Sequence, residues 1–317
     1  MTAVLDSREY CDRLLGLPRP GAEKILAYYD ARIGAIGVDP RYMLVPLDDH
    51  VTHRGDGVFE TVKFSGGRLY LLDQHLARIR ASAAAIFLEP PCPWEEIRNI
   101  AIDVAAAGKE PDGQMCILIG RGPGGFSIDP AECPRASLYM AAYRVAKRPE
   151  SWFAAGVSGF RTSIPAKQPY LAKIKNTNYL PNMLMIREGK SRGADIPFCY
   201  DDQGFLAESA VANLCLVDRD GVLVAPELTH ALAGTTMLRA LELLRGVLPV
   251  ATRNITEDDV FGAAEILLLG TGPDCVAVVA YEGRPIGAGR PGPVSERLRR
   301  LIAGDIQANG VPVPGLV

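Results

Sequence analysis

Two lysines stand two positions apart in the segment "LAKIKNTNYLPN", residues 171–182, and either is a candidate nucleophile. A lysine that is partly shielded from water has a lowered pKa, and its uncharged amine can attack a carbonyl carbon to form a Schiff base. If the segment is the extended end of a strand, Lys173 and Lys175 point to the same face, so their spacing does not choose between them. A solvent-exposed surface charge is the ordinary interpretation of each.

Three threonines occur where the backbone can hold an anion. Thr235 and Thr236 follow Gly234 in "ALAGTT", where a helix is predicted to begin, and the free N–H groups at a helix start bind phosphate. Thr271 lies in "GTG", directly after the apolar run "EILLLG", so its hydroxyl is predicted at the end of a strand. A simple threonine N-cap and a plain turn are the ordinary interpretations of these two motifs.

Several other chemical motifs are incomplete. The glycine-rich "GRGPGG", residues 120–125, contains Pro123 and precedes no predicted helix, which excludes a Rossmann nucleotide site. The four histidines form no HExxH pattern and the seven cysteines form no CxxC pair, so no metal site is predicted. Glu208, in "LAESAVANLCLV", has small neighbours and is either a functional carboxylate or an exposed one.

The overall composition is that of an ordinary globular protein. The chain has 317 residues, of which 48% are hydrophobic and 22% charged, and its formal net charge is −3. Since no block of like charges occurs, no nucleic-acid partner is expected. The apolar runs are too short to span a bilayer and the N-terminus has no signal-peptide pattern, so we expect no membrane partner and a cytoplasmic location. The length allows two domains.

The candidate residues must be positioned by a mixed set of helices and strands. Residues 57–64 alternate in polarity, and "SGG" then turns the chain into residues 68–72, which predicts a β-hairpin. Asp73 is expected to cap the next helix, whose apolar stripe leaves Arg78 on a different face. That stripe consists of Leu76, Ile79, Ala83 and Ile86.

The polar stretch "AKRPES", residues 146–151, is the predicted domain linker. Before it we expect a helix from Trp94 and buried strands at 114–120 and 136–145. The elements predicted after it are helices at 178–190 and 294–307 and strands near 196–200, 212–218 and 265–269. The predicted parts are an N-terminal extension (1–40), a small α/β domain (41–148) and a larger C-terminal domain (149–317).

Five ordered motifs together resemble the class IV, fold type IV, pyridoxal-phosphate enzymes. The motifs are "HRGDGVFETVKFSGGRLYLLDQHLARI", "IKNTNYLPN", "DDQGFLAESAVANLCLV", "ALAGTT" and "LLLGTG". This family contains branched-chain aminotransferases, D-amino acid aminotransferases and aminodeoxychorismate lyases, and the resemblance covers about residues 40–290. It implies a mixed α and β architecture of two domains, with the cofactor site between them, and a homodimer.

The resemblance also assigns roles to individual residues. It implies that Lys175 is the lysine that binds pyridoxal 5'-phosphate, with Lys173 as its neighbour. Glu208 matches the carboxylate that keeps the ring nitrogen protonated, and Tyr179 matches the tyrosine that binds the phenolic oxygen. A packing tyrosine is the alternative for Tyr179. The residues that match phosphate ligands are Arg78, Thr235, Thr236 and Thr271, and those assigned to the substrate pocket are Phe59 and Arg121.

The implied activity is the transfer of an amino group between an amino acid and a 2-oxo acid. Glu60 resembles the aminotransferases at a position where the lyases tend to carry Thr. Some D-amino acid enzymes hold the substrate carboxylate with an Arg-x-His motif, which "RGPGGFSI" lacks, and Met237 replaces an Arg found in many members. Even so, the motifs look most like plant-type D-amino acid aminotransferases.

The resemblance leaves more than one substrate and reaction open. Phe59 is like the branched-chain enzymes, so D-amino acids such as D-alanine are favoured only slightly over branched-chain L-amino acids. The alternative activity is that of an aminodeoxychorismate lyase, which forms 4-aminobenzoate and pyruvate. A binding protein without catalysis is disfavoured because Lys175, Glu208 and Arg78 are all present.

Overall fold

The computed structural model describes residues 2–317, which contain two β-sheets with helices packed on them. The first sheet comprises β1 (Ile25–Asp30), β2 (Ala35–Gly37), β3 (Gly57–Ser65), β4 (Arg68–Leu69), β5 (Gly113–Gly120), β6 (Ser137–Tyr143) and β15 (Val311–Pro312). The second comprises β7 (Val157–Arg161), β8 (Ile196–Phe198), β9 (Asn213–Val217), β10 (Leu223–Pro226), β11 (Val250–Arg253), β12 (Glu265–Gly270) and β13 (Asp274–Tyr281), with β14 (Arg284–Pro285) paired to β13. Both sheets are therefore built mainly from consecutive parts of the chain.

The helices vary in length from one turn to several. The N-terminal ones are α1 (Ser7–Gly16), α2 (His50–His53), α3 (Leu72–Ala85), α4 (Trp94–Gly108) and α5 (Glu150–Ala154). The later ones are α6 (Pro169–Ala172), α7 (Leu180–Arg192), α8 (Thr235–Leu244), α9 (Glu257–Gly262) and α10 (Pro293–Asn309). Within residues 2–317, none of them is both long enough and apolar enough to cross a bilayer.

The first sheet forms because its strands alternate in polarity. In β3, Val58, Glu60 and Val62 are buried on one face, and the strand pairs antiparallel with β5. Helix α3 covers that face with the apolar stripe that the sequence predicts, α4 adds buried side chains of its own, and burial of these side chains stabilises the layer. Glu60 thus lies under α3, in an otherwise apolar layer.

The second sheet is more completely covered. Every residue of β9 and β12 is buried, which is typical of strands with side chains packed on both faces. One face contributes to a core cluster that includes α8 and α10, and the other packs against a second cluster that includes α9. Strand β12 ends at Gly270, so Thr271 follows at the strand end as predicted.

The predicted elements are largely confirmed, with two local corrections. Asp73 does not cap α3: the N-cap is Leu71, at φ 55°, and Asp73 lies in the first turn, where it binds Arg98 at 2.7 Å. The stretch before Lys175 is not a strand end, because Pro169–Ala172 form a helical turn. Proline is well tolerated in the first turn of a helix, which polarity alternation alone does not reveal.

Part of the predicted N-terminal extension belongs to the first sheet. Strand β1 pairs with β6, and β2 pairs with β1 at the sheet edge. In the predicted linker, residues 144–149 are irregular and α5 then begins at Glu150. The division into parts at 1–40, 41–148 and 149–317 stays a prediction.

Candidate active site

Lys175 has its backbone held by two elements of the first sheet layer. Its N–H donates to Ser82 Oγ on α3 at 3.1 Å, and its carbonyl accepts from the N–H of Phe59 on β3 at 3.0 Å. These bonds join the segment between α6 and α7 to elements far away in sequence. Lys173, in contrast, is exposed. The structure therefore separates the two lysines that sequence spacing alone leaves equivalent.

The amino group of Lys175 lies among aromatic rings. Nζ donates to the hydroxyl of Tyr179 at 3.0 Å and lies 4.6 Å from the ring centroid of Phe59. Burial lowers the pKa of Lys175 to about 8, although the carboxylates of Glu60 and Glu208 act in the opposite direction. About a tenth of this amine is therefore uncharged at pH 7, far more than for an ordinary lysine, and the uncharged amine is the nucleophile.

Glu60 is a fully buried carboxylate with charged partners. Arg78 donates to it from Nε at 2.6 Å and from Nη2 at 2.8 Å, and Nδ1 of His75 lies 2.6 Å from Oε2. Burial raises the pKa of Glu60, but the hydrogen bonds from Arg78 and His75 outweigh it and hold the pKa at about 2. The carboxylate therefore stays ionised over the whole physiological range.

His75 connects this carboxylate to the start of α8. Burial lowers the pKa of His75, so the ring is neutral near pH 7. A carboxylate only accepts, so Nδ1 carries the proton and Nε2 accepts from the hydroxyl of Thr235 at 3.3 Å. The sequence analysis missed His75, although it lies three residues before Arg78 on the same helix, a spacing that places both on one side.

The N-terminus of α8 is open to an anion. Its N-cap, Gly234, provides no side-chain hydrogen bond, and Thr235 and Thr236 are buried. A Cβ on Gly234 would lie 1.8 Å from Oδ1 of Asn213, so only glycine allows this close turn. Arg78 donates from Nη1 to the carbonyl of Ala233 at 3.0 Å, which places a guanidinium beside the free N–H groups.

Glu208 has a different environment from Glu60. It accepts from the N–H of Leu232 at 3.1 Å, and within the described chain it forms no ion pair within 4.0 Å. Burial raises the pKa of Glu208, while the nearby charges of Lys167, Lys175 and Arg78 partly oppose this rise. Its carboxyl is thus available for a ligand group that carries a proton.

Arg121 is engaged in contacts with the protein itself. Its Nε and Nη2 donate to the two oxygens of Asp56 at 2.9 and 3.0 Å, and Nη1 donates to the carbonyl of Phe87 at 2.8 Å. Such a two-bond pair fixes the guanidinium plane and occupies the edge that binds a carboxylate. The assignment of Arg121 to the substrate pocket stays a prediction.

These residues fit the donor set that pyridoxal 5'-phosphate requires. Lys175 supplies a shielded amine for its aldehyde carbon, and Glu208 supplies a carboxyl for its ring nitrogen. The start of α8, which has no side-chain cap, supplies donors for its phosphate, together with the N–H groups of Arg78 Nη1 and Nη2 that are not used by Glu60 or Ala233. Met237 is buried in the core and does not take part in this donor set. Thr271 lies at the end of β12, beside β9, whose first residue Asn213 packs against the turn before α8.

A family-level comparison identifies the chain. The sequence profile described as "Amino-transferase class IV" matches residues 57–281, which include the motif residues described above. The chain belongs to the class IV aminotransferases. Membership confirms the resemblance stated from the motifs, and with it the prediction of a transaminase that uses pyridoxal phosphate.

Individual relatives support the same assignment. This class IV aminotransferase is 35% identical to "D-amino-acid transaminase, chloroplastic" of Arabidopsis thaliana over 99% of its own length and 85% of the relative. It is 27% identical to a branched-chain-amino-acid aminotransferase of Pseudomonas aeruginosa, over 82% of this chain and 88% of that one. Both relatives are named as aminotransferases or transaminases. The comparison therefore does not favour the alternative that the chain is an aminodeoxychorismate lyase.

A solved structure confirms the fold. The branched-chain amino acid aminotransferase of Escherichia coli has a TM-score of 0.84 and 22% identity, covering 92% of this chain and 98% of that chain. The prediction of the fold type IV architecture is therefore confirmed. At this level of identity the similarity concerns the fold alone.

Proposed function

We propose that this class IV aminotransferase moves amino groups between D-amino acids and 2-oxo acids. The observation that carries the proposal is the Lys175 amine, held 3.0 Å from Tyr179 with a pKa of about 8. The D-amino acid preference is supported by the 35% identity with the Arabidopsis D-amino-acid transaminase over 99% of the chain. Branched-chain L-amino acids are the second candidate donors, supported by the Pseudomonas aeruginosa relative and by Phe59.

The site residues divide the work of transamination among them. Bound pyridoxal phosphate supplies an electron sink for the carbanion that forms at the substrate Cα. Lys175 would hold the cofactor at its aldehyde carbon, and its amine, when free of the cofactor, would accept the proton that the substrate Cα loses. Because its pKa is near neutrality, the same amine both accepts and returns that proton.

The remaining groups hold the reacting atoms in place. Tyr179 hydrogen-bonds the phenolic oxygen of the cofactor, and Glu208 keeps the ring nitrogen protonated. Arg78, the backbone at Thr235 and Thr236, and the hydroxyl of Thr271 hold the phosphate. Phe59, whose ring meets that of Tyr179 edge-on at 4.9 Å between centroids, forms an apolar wall beside the Lys175 amine and shields it from water. Two further parts of the proposal are a homodimer, which rests on the family resemblance, and a cytoplasmic location, although the Arabidopsis relative is named as chloroplastic.

The test is the visible absorption spectrum of the purified, cofactor-loaded protein, with D-alanine and L-leucine added in separate cuvettes. Loss of the cofactor's visible band with D-alanine supports the proposal, and loss with L-leucine alone moves the enzyme to the branched-chain group. Release of pyruvate from aminodeoxychorismate without a 2-oxo acid acceptor would assign it to the lyases.

Matched lysine variants locate the reacting amine. Lys175→Ala should abolish the response to every amino acid, because no other lysine amine contacts Tyr179 within hydrogen-bonding distance in residues 2–317. Lys173→Ala, which alters an exposed side chain two positions away, should respond as wild type does. Full activity of Lys175→Ala would overturn the proposal.

A further inference from the structure

A second lysine, Lys167, lies close to the proposed site without a carboxylate of its own. Its Nζ lies 4.8 Å from the ring centroid of Tyr179, within the range of a cation–π contact. Among the ion pairs within 4.0 Å in the described chain, none involves Lys167, whereas Arg78, Arg121 and Lys63 each bind a carboxylate. Lys167 is thus a cation beside the site whose charge is not neutralised by a direct partner.

The position of Lys167 is set by its backbone. Nδ1 of His230 lies 3.0 Å from the carbonyl oxygen of Lys167, and the N–H of the preceding Ala166 donates to the carbonyl of Tyr200 at 3.0 Å. These contacts anchor the segment before α6 to the second sheet layer. The ring of Tyr179 therefore has Lys167 at 4.8 Å and Lys175 at 5.4 Å from its centroid.

We propose that Lys167 is a positioning residue that acts through charge, holding an ammonium beside Tyr179 so that the tyrosine hydroxyl is a stronger hydrogen-bond donor and the ionised carboxylate of Glu208 is favoured. This inference rests on the proposed function, in which Tyr179 and Glu208 contact the phenolic oxygen and the ring nitrogen of the cofactor. In pyridoxal phosphate a single ring carbon separates the ring nitrogen from the carbon that bears the phenolic oxygen. The charge of an ammonium beside Tyr179 therefore acts on the edge of the ring that includes both positions.

The charges around these two groups support this role. Burial raises the pKa of Tyr179 to about 12, and Lys167 is the foremost charge opposing that rise. The same holds for Glu208, whose pKa is raised by burial and lowered first by Lys167. The other charged groups that act on Tyr179 or Glu208 are Glu60, Arg78 and Lys175. Glu60 and Arg78 form an ion pair, so removal of either charge would leave the other without its partner. Removal of the Lys167 charge breaks no ion pair in the described chain.

The experiment is a pH titration of the visible band of the cofactor-loaded protein. Lys167→Met keeps much of the apolar stem but removes the charge, so the cofactor should hold its proton more easily and the midpoint should rise. We expect a rise of about one to two pH units, the size for a charge roughly 6–10 Å away at an effective dielectric constant of about 20. Lys167→Arg should restore the wild-type midpoint, and Lys173→Met, which removes an exposed charge, should leave it unchanged.

Each alternative outcome is decisive. An unchanged midpoint in Lys167→Met, or an equal rise in Lys167→Arg, would overturn the inference, since the effect would not follow charge. A folded Lys167→Met protein that does not retain the cofactor would also overturn it, because the proposed effect is on titration. A raised KM for carboxylate substrates with an unchanged midpoint would assign Lys167 to the substrate instead. If the wild-type visible band does not depend on Lys175, the proposed function fails, and that failure is separate from these.

Discussion

Two carboxyl groups of the site, the fully buried Glu60 and the partly exposed Glu208, have opposite environments. Glu60 receives two hydrogen bonds from Arg78 and one from His75, and the pKa is held at about 2. Glu208 receives one backbone hydrogen bond, from Leu232, and burial raises its pKa. A glutamate thus has two roles in the site. On β3 it is a carboxylate that stays ionised and holds its neighbours in place, and after β8 it is a carboxyl group with few hydrogen bonds from the protein.

The difference between the two environments distinguishes a carboxyl group that positions other residues from one that can bind a ligand. A carboxylate whose lone pairs are filled by the protein has little capacity left for a ligand, but it can fix the groups that bind to it. Glu60 fixes Arg78 and His75, and these in turn reach Ala233 and Thr235 at the start of α8. Glu208 retains capacity for a partner that the protein does not supply. The comparison predicts that the two groups respond in opposite ways when their charge is removed.

Glu60→Gln is expected to cause the largest effect, a loss of about 3–5 kcal/mol in the free energy of unfolding at pH 7, because it leaves Arg78 buried without its partner. Glu60 has a folded pKa of about 2 against 4.5 for the free side chain, so its contribution is complete above 4.5 and is lost as pH falls towards 2. Urea unfolding at a series of pH values measures the difference. Asp73→Asn, which removes an exposed pair with Arg98, should cost less than about 1 kcal/mol.

Glu208→Gln should reduce transaminase activity by about 10²- to 10³-fold, because a neutral amide stabilises a protonated ring nitrogen less well. The apoprotein should lose no stability. The folded pKa of Glu208 is raised, so ionisation of the unfolded state above pH 4.5 opposes folding, and the amide removes that penalty. Turnover of the cofactor-loaded enzyme tests the expected loss of activity, and urea unfolding of the apoprotein tests the expected stability. Equal loss of stability in Glu208→Gln and Glu60→Gln would remove the distinction between the two carboxyls.

Lys175→Met should stabilise the apoprotein by about 3 kcal/mol at pH 7, the smallest of the three effects. The pKa of Lys175 falls from 10.5 to about 8 on folding, so the unfolded state binds more protons between these values. Wild-type stability should therefore rise from pH 8 to 10.5, and the advantage of the variant should disappear over that window. Thermal unfolding across this range is the measurement, with Lys173→Met as the control. A Lys175→Met apoprotein that is less stable than wild type would show that burial of the Lys175 amine does not destabilise the folded protein.

The sequence predicts most residues of the site because the motifs are local. Lys175 and Tyr179 are four residues apart, and "ALAGTT" contains the whole start of α8. The partners of these residues are not local. Glu60 meets His75 and Arg78 because β3 and α3 pack together, and only the folded chain reveals that His75 also reaches Thr235.

The sequence does not reveal the partners of individual charges. Arg121, which the family resemblance assigns to the substrate pocket, binds Asp56 and the carbonyl of Phe87 through its guanidinium, and its assignment stays a prediction. Lys167 has no motif of its own, and its importance depends on the distance of its Nζ from Tyr179. Strands β1 and β2 escape prediction because neither alternates clearly in polarity: β1 is buried at four of its six positions, and β2, at the sheet edge, has only three residues.

Strand β15 pairs with β4, so residues 311–312 complete the edge of a sheet whose other strands all lie before residue 144. A ribosome releases the chain from its N-terminus, and β4 therefore leaves the exit tunnel long before its partner has been made. During that interval the whole second sheet is synthesised while one edge of the first sheet remains unpaired. The unpaired N–H and C=O groups of an exposed strand edge can pair with other chains. The time for which the nascent chain carries this open edge is set by the length of the sequence between the two strands.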